Sequence, residues 1–170
     1  MWRCVLTVLL VLACMSGLTP GSAVGAQFIE EAEFAYERGD YTQAARIFSP
    51  LAEQGVASAQ FYLGLMHEMG RGVRQDHSVA QLWFRKAAVQ GYAGPQNYLG
   101  LIYERGRGVR KDVVRALMWY TIAATMLSGN EQQTAMSRRD HLTSQMNASQ
   151  IEQAQEMVRR CQQTHFKDCE

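Results

Sequence analysis

The sequence predicts an all-α protein built as an array of stacked helical hairpins, and three observations carry that prediction. The string GRGVRQD at Gly70–Asp76 returns as GRGVRKD at Gly106–Asp112, 36 residues later. The match extends on both sides of the string without a gap, from Leu63-Gly64 and Leu99-Gly100 to Ala87-Ala88 and Ala123-Ala124. Between these anchors the apolar residues fall at the spacing of one helical face. A fixed internal period of this length is the mark of a repeat architecture, in which each unit buries its apolar side against its neighbours.

Residues 1–26 read as a signal peptide rather than as part of the fold. Arg3 supplies the positive start, Val5 to Met15 is apolar apart from Thr7, and small or turn-forming residues follow to Ala26. The apolar run of about eleven residues is too short to cross a bilayer as a helix, which needs roughly 20. Cleavage is expected after Ala26, with Ala23 as the alternative. A lipid anchor on Cys14, in the string VLAC, is a third reading. No later segment is apolar enough to span a membrane. Beyond Arg3 the chain carries 16 basic and 16 acidic residues. That balance argues against nucleic acid as a partner, since binding it calls for a basic face.

Residues 27–56 read as a degenerate first unit. Tyr36 and Gly39 stand where Tyr103 and Gly106 stand. Asp40, Ala44, Phe48 and Ala52 match Asp76, Ala80, Phe84 and Ala88. The connecting loop is shorter, because Asp40 follows Gly39 directly, and Asp40 with Gln43 resembles a capping box.

Residues 57–91 and 92–128 are the two regular units. Each opens with a helix, about 57–69 and 93–105, that contains a glycine, Gly64 or Gly100. Glycine inside a helix costs about 1 kcal/mol against alanine, and close approach of another helix is the usual reason for keeping it. The second helices run over about 76–90 and 112–126. Asp76 and Asp112 are suited to cap them, and Ala80, Trp83, Phe84, Ala87 and Ala88 form a buried stripe that Ala116, Trp119, Tyr120, Ala123 and Ala124 repeat. Gly91 and Gly129 are expected to turn the chain into left-handed conformation after these helices. Residues 129–170 break the pattern. Two closing helices are expected at 135–146 and 147–161, the second capped by Asn147 and wet on one face, as an array end requires.

The glycine string also has a chemical reading. Phosphate loops follow a strand and open a helix, whereas this string follows a helix with no strand pattern nearby. It reads as an inter-helix turn held to the core by Val73 and Val109. Arg71, Arg74, Arg107 and Arg110 then line one edge of the array in solvent. Cys161 and Cys169 are expected to pair as a disulfide, given the signal peptide. Ligation of a metal by Cys161, His165 and Cys169 is the alternative, for which no fourth ligand is evident. A disulfide requires the last helix to end near 161–163, because its Cα atoms must approach within about 7 Å. His67 fills an aromatic core position, and His77 is expected to be exposed. No catalytic set of Ser, His, Asp or Cys is evident, and no cofactor is expected.

These residues resemble the Sel-like repeat (SLR) family, a relative of tetratricopeptide repeats. Leu63, Gly64, Gly70, Gly72, Val73, Asp76, Ala80, Trp83, Lys86, Ala87, Ala88 and Gly91 follow its pattern, and residues 93–129 follow it with Tyr103 in the aromatic place. The chain departs at Thr121-Ile122, where the family prefers lysine, and at His67. The resemblance implies a right-handed α/α superhelical solenoid with a C-terminal capping helix pair, and an adaptor that binds a protein or peptide in the cell envelope. If the first helices line the concave side, Phe61, Leu65 and Glu68, with their equivalents Asn97, Leu101 and Glu104, form a groove. The other reading has Phe61 and Leu65 contacting the neighbouring unit. Two further roles remain open. Some cysteine-rich relatives are associated with β-lactam binding or hydrolysis, but they carry a cysteine pair in each repeat and this chain does not. The other role is an accessory subunit of an envelope complex.

Overall fold

The computed structural model describes residues 20–167 and Cys169, with side chains from Ala26 onward. The charged and apolar parts of the expected signal peptide, and Cys14, lie outside the described residues. The described residues form eight α-helices and no strand: α1 Pro20–Glu37, α2 Tyr41–Glu53, α3 Ala57–Met69, α4 His77–Ala88, α5 Ala93–Arg105, α6 Val113–Met126, α7 Gly129–Thr143 and α8 Ala148–Gln163. Each helix from α1 to α6 packs on the next in chain order, and α8 folds back onto α6. None of the described helices is long and apolar enough to cross a membrane. Helix α1 begins at Pro20 and runs through both Ala23 and Ala26, where the composition reads as turn-forming. Its first buried residue is Ala32.

The helix ends follow from the sequence. Asp76 Oδ1 accepts from the N–H groups of Ser78 and Val79 at 2.9 and 3.0 Å, and Asp112 Oδ1 from those of Val114 and Arg115 at 3.1 and 3.0 Å. These bonds hold the Asp76 carboxyl below the usual carboxylate range, the bond from Val79 contributing most. Asp40 accepts from the N–H of Gln43, and Asn147 with Gln150 completes a reciprocal capping box. At the other ends Gly70 and Gly106, both at φ 68°, close α3 and α5 in left-handed conformation.

The second glycine of each GRG string has a different task. Gly72 and Gly108 also sit at positive φ, 69° and 68°. A Cβ on Gly72 would run into the carbonyl of Tyr41, and one on Gly108 would lie 2.5 Å from the N of Ser78 and 2.6 Å from the carbonyl carbon of His77. Tyr41 and His77 each begin the second helix of the preceding unit. The loop of each unit therefore rests backbone-to-backbone on the start of that helix, and the Ser78 hydroxyl donates to Gly108 O at 3.0 Å. Val73 and Val109 pack on the core beside these contacts.

The glycines inside helices meet aromatic rings. An added Cβ on Gly64 would lie 2.7 Å from the Phe84 ring, and one on Gly100 would lie 2.5 Å from the Tyr120 ring. Both rings are fully buried. The same rings join one unit to the next. Phe48 stacks on Tyr62 at 4.8 Å, and Phe84 on Tyr98 at 5.1 Å, with near-parallel planes. A second inter-unit tie uses Gln60, whose Nε2 donates to Ala52 O at 3.0 Å. Gln132 does the same to Ala124 O at 3.0 Å.

The closing helices differ from the expectation. α7 begins at Gly129, six residues before the expected 135, so that it starts 36 residues after α5. Gln132 repeats Gln60 and Gln96 at that period, so α7 takes the place of a third unit's first helix. Gly129 has the left-handed φ of 59°, but as the first residue of α7, while α6 ends on Leu127 in extended conformation. At the C-terminus Cys161 and Cys169 form a disulfide with Cα atoms 4.4 Å apart. α8 ends at Gln163, and His165 and Phe166 take positive φ to turn the chain back. Phe166 donates its N–H to Cys161 O at 2.8 Å and lays its ring against Gly91.

Two predictions follow from this packing. Gly108→Ala adds a backbone collision to the left-handed strain of about 1–2 kcal/mol, so it is expected to cost more than Gly39→Ala. Gly39 has φ 83° but nothing within 4 Å of a Cβ. Urea unfolding midpoints of the two variants test this, and equal losses would remove the claim that the loop rests on the preceding helix. Reducing the disulfide, or Cys169→Ser, is expected to lower stability by about 2–3 kcal/mol, as for a short closed loop, read from the melting curve with and without reductant.

Candidate functional site

The stacking pattern fails once, and the failure makes a cavity. At the third junction Tyr120 occupies the place of Phe48 and Phe84, but Thr134 stands where Tyr62 and Tyr98 would supply the second ring. The Arg138 guanidinium comes over Tyr120 instead, 5.9 Å from the ring centroid, and donates from Nη1 to Asn97 Oδ1 at 3.2 Å. A threonine fills far less space than a tyrosine. The result is a recess of about 280 Å³ between α3, α5 and α7, lined by Phe61, Asn97, Tyr98, Leu101, Leu127 and Arg138, together with Gly94, Glu131 and Thr134.

Of the six groove residues expected from sequence, the recess gathers Phe61, Asn97 and Leu101. Two others are corrected. Leu65 is 7% exposed and belongs to the central core. Glu68 is also 7% exposed, because it is the hub of a junction between units. Its carboxylate accepts from Arg107 Nη1 at 2.7 Å and bonds His77 Nδ1 at 2.9 Å. Leu65 and Glu68 lie one and two helical turns further along α3 than Phe61, on the side where the next unit closes over it. Glu104 is half-buried and accepts the Tyr120 hydroxyl at 2.6 Å. Its carboxylate, together with burial, raises the Tyr120 hydroxyl well above the ordinary tyrosine range, burial contributing most.

The arginine edge and the histidines also differ from the sequence reading. Arg71 and Arg107 reach back to the preceding unit: Arg71 lies 5.1 Å from the Tyr41 ring centroid, and Arg107 pairs with Glu68. Arg74 and Arg110 are exposed. His77, expected in solvent, is drawn into the Glu68 junction. His67 bonds Arg74 O at 3.2 Å through Nδ1. Among the described residues no group of His, Cys, Asp or Glu is placed to hold a metal ion, and the Cys161–Cys169 disulfide occupies both thiols.

Around Phe61 the rings of Tyr62, Tyr92 and Tyr98 stand at 5.6, 5.6 and 5.8 Å, mostly edge-on. Gly94 leaves room for Phe61, with its Cβ position 3.3 Å from the ring tip. Tyr92 is more than a third exposed and caps the start of α5, where the preceding unit has Val56. Burial raises the hydroxyls of all three tyrosines, that of Tyr62 to about 12. Carboxylates add to the effect. Glu33 of α1 acts on Tyr62 and Tyr92, and Glu131 of α7 acts on Tyr92 and Tyr98. Carboxylates from α1 and α7 thus both act on Tyr92. The sequence reading overlooked Tyr98, Glu131, Thr134 and Arg138. The signal was the 36-residue register, which aligns Tyr62, Tyr98 and Thr134 and shows the ring missing from the third.

The comparisons with known proteins agree with this geometry. The Sel1 repeat family matches residues 57–92 and 96–126. A protective antigen present in uropathogenic Escherichia coli strains, which displays an SLR fold, superposes with a TM-score of 0.76 at 27% identity, over 85% of this chain and 31% of that one. A Sel1 repeat protein from Oxalobacter formigenes gives a TM-score of 0.63 at 29% identity, over 76% of this chain and 53% of that one. This chain therefore spans about a third and about half of the lengths of those two structures. No curated protein matches it in sequence. The chain carries two Sel1 repeats, over residues 57–92 and 96–126, within an all-α array similar to these SLR structures.

Proposed function

We propose that the chain is an exported adaptor that holds a protein or peptide segment along the inner face of its helical array, within the bacterial cell envelope. The observation that carries this reading is the recess beside Phe61. It is concave and apolar at its centre, and Asn97, Thr134 and Arg138 stand on one wall as hydrogen-bonding groups. A cavity that combines an apolar floor with a few polar anchors suits the side chain of a partner better than open solvent. Export is supported by the order of charge, apolar run and small residues in positions 1–26, and by the disulfide, which persists in oxidising compartments.

A photo-crosslinking side chain placed at Thr134 tests the groove in the producing cells. It is expected to give a discrete adduct of higher mass, while the same side chain at Glu152 on exposed α8 gives none. Equal labelling from both positions would sink the inner-face reading. The processing site is tested by intact mass of the mature protein, which is expected to begin at Gln27. Gln27 is exposed, and the first buried residue from Ala26 onward is Ala32. A lipid-modified start at Cys14 would replace the free exported form with an anchored one.

A further inference from the structure

The inner face carries a charge pattern that its own fold leaves uncompensated. Glu30, Glu33 and Glu37 lie along α1, and Glu131 lies on α7. Among the described residues none of these four is paired with a basic side chain. Burial, together with the neighbouring Glu37 and Glu30, holds the Glu33 carboxyl above its ordinary range, so its charge is poorly solvated and repelled by its neighbours. Arg138 is the one cation of the recess, and it is held at the far wall by Asn97 and Tyr120. Glu33 acts on Tyr62 and Tyr92, and Glu131 on Tyr92 and Tyr98, and these rings pack around Phe61.

We infer that the groove takes a partner segment bearing a lysine or arginine, whose cation lies over the Phe61–Tyr92 floor between the carboxylates of Glu33 and Glu131. The inference rests on the reading of this face as a docking site and adds the chemistry of what docks. Charge complementarity selects the occupant. A cation over an aromatic face is attracted by the ring quadrupole, by about 0.5–1 kcal/mol when exposed and about 2 when desolvated. Two flanking carboxylates add to this attraction, and the cation in turn relieves the strained position of Glu33. Tyr92 stands out at the start of α5, more than a third exposed, with its ring 5.6 Å from that of Phe61. An acidic segment would meet the carboxylates of Glu33 and Glu131 at this place. Arg138 then orients the chain: its donors lie at the wall away from the cation seat, within reach of the segment's backbone carbonyls. A segment that enters the reverse way would bring its own cation against Arg138.

The test uses random peptides displayed on phage and selected against the immobilised chain from Gln27 to Glu170, oxidised. Enriched peptides are synthesised with a fluorophore, and their affinities are measured by polarisation against wild type, Glu33→Gln/Glu131→Gln and Leu101→Arg. Thermal melts confirm that each variant is folded. The expected result is enrichment of peptides with lysine or arginine at a fixed position. Their binding should weaken about tenfold or more in the double glutamine variant, and similarly when the basic residue is replaced by norleucine. Enriched peptides without a basic residue, or binding that survives in the double variant while Leu101→Arg abolishes it, would overturn the cation assignment and leave the groove standing. Enrichment indifferent to Leu101→Arg, acidic peptides bound at the Arg74 and Arg110 edge, or no enrichment at all, would overturn the groove itself.

Discussion

The fold depends on one ring having room on both sides. Phe84 lies against Gly64 of its own hairpin on one face and stacks on Tyr98 of the next unit on the other. Any side chain at Gly64 would push the ring out of this place. The hairpin and the array are therefore held by the same group, so they cannot be stabilised separately. Removing such a buried ring typically costs about 3–5 kcal/mol, a large share of the net stability of a single domain. Phe48 begins the same arrangement at the N-terminal junction by stacking on Tyr62. The GRGV loops then fix the spacing, since each rests directly on the backbone of the unit before it.

This constraint also explains where the array stops repeating. Tyr120 still lies on Gly100, so the second hairpin closes as the first does. Thr134 gives Tyr120 no ring to stack on. An arginine over the ring is a weaker and wetter partner than a tyrosine, and it leaves the volume of the absent ring open. α8 then covers α6 from the outside, which buries Trp119 to 2% while its equivalent Trp83 stays half-buried under the Lys86 ammonium. The disulfide holds the turn after α8 against Gly91. The end of the array is closed on its outer side and open on its inner side, and the recess lies on the open side.

Most of the fold was legible in the sequence because repetition supplies its own control. A residue kept at the same register in both units, such as Gly64 and Gly100 or Asp76 and Asp112, answers to a structural demand that both units share. The caps, the left-handed glycines and the disulfide turn all followed from local chemistry of this kind. The site was less legible for the converse reason. Its residues are those that break the register, and a broken match reads as loss of pattern rather than as a cavity. Leu65 and Glu68 show the second difficulty. Helical periodicity places them on the face of Phe61, but whether that face is open depends on where the next unit lands. The sequence of one helix does not contain that distance. Glu68 looks like a surface acid until Arg107, 39 residues away, arrives beside it.

The same logic bears on the charge of the inner face. A solenoid of this type could neutralise its acids cheaply, because arginines are available at every loop. Arg71 and Arg107 are spent in that way on the outer junctions, over Tyr41 and against Glu68. Glu33 of α1 and Glu131 of α7 receive no such partner, although both act on Tyr92. Unneutralised acids at a half-buried position weaken the folded state, as the raised carboxyl of Glu33 records. A fold that leaves Glu33 in this position keeps an unspent electrostatic attraction beside the aromatic residues around Phe61.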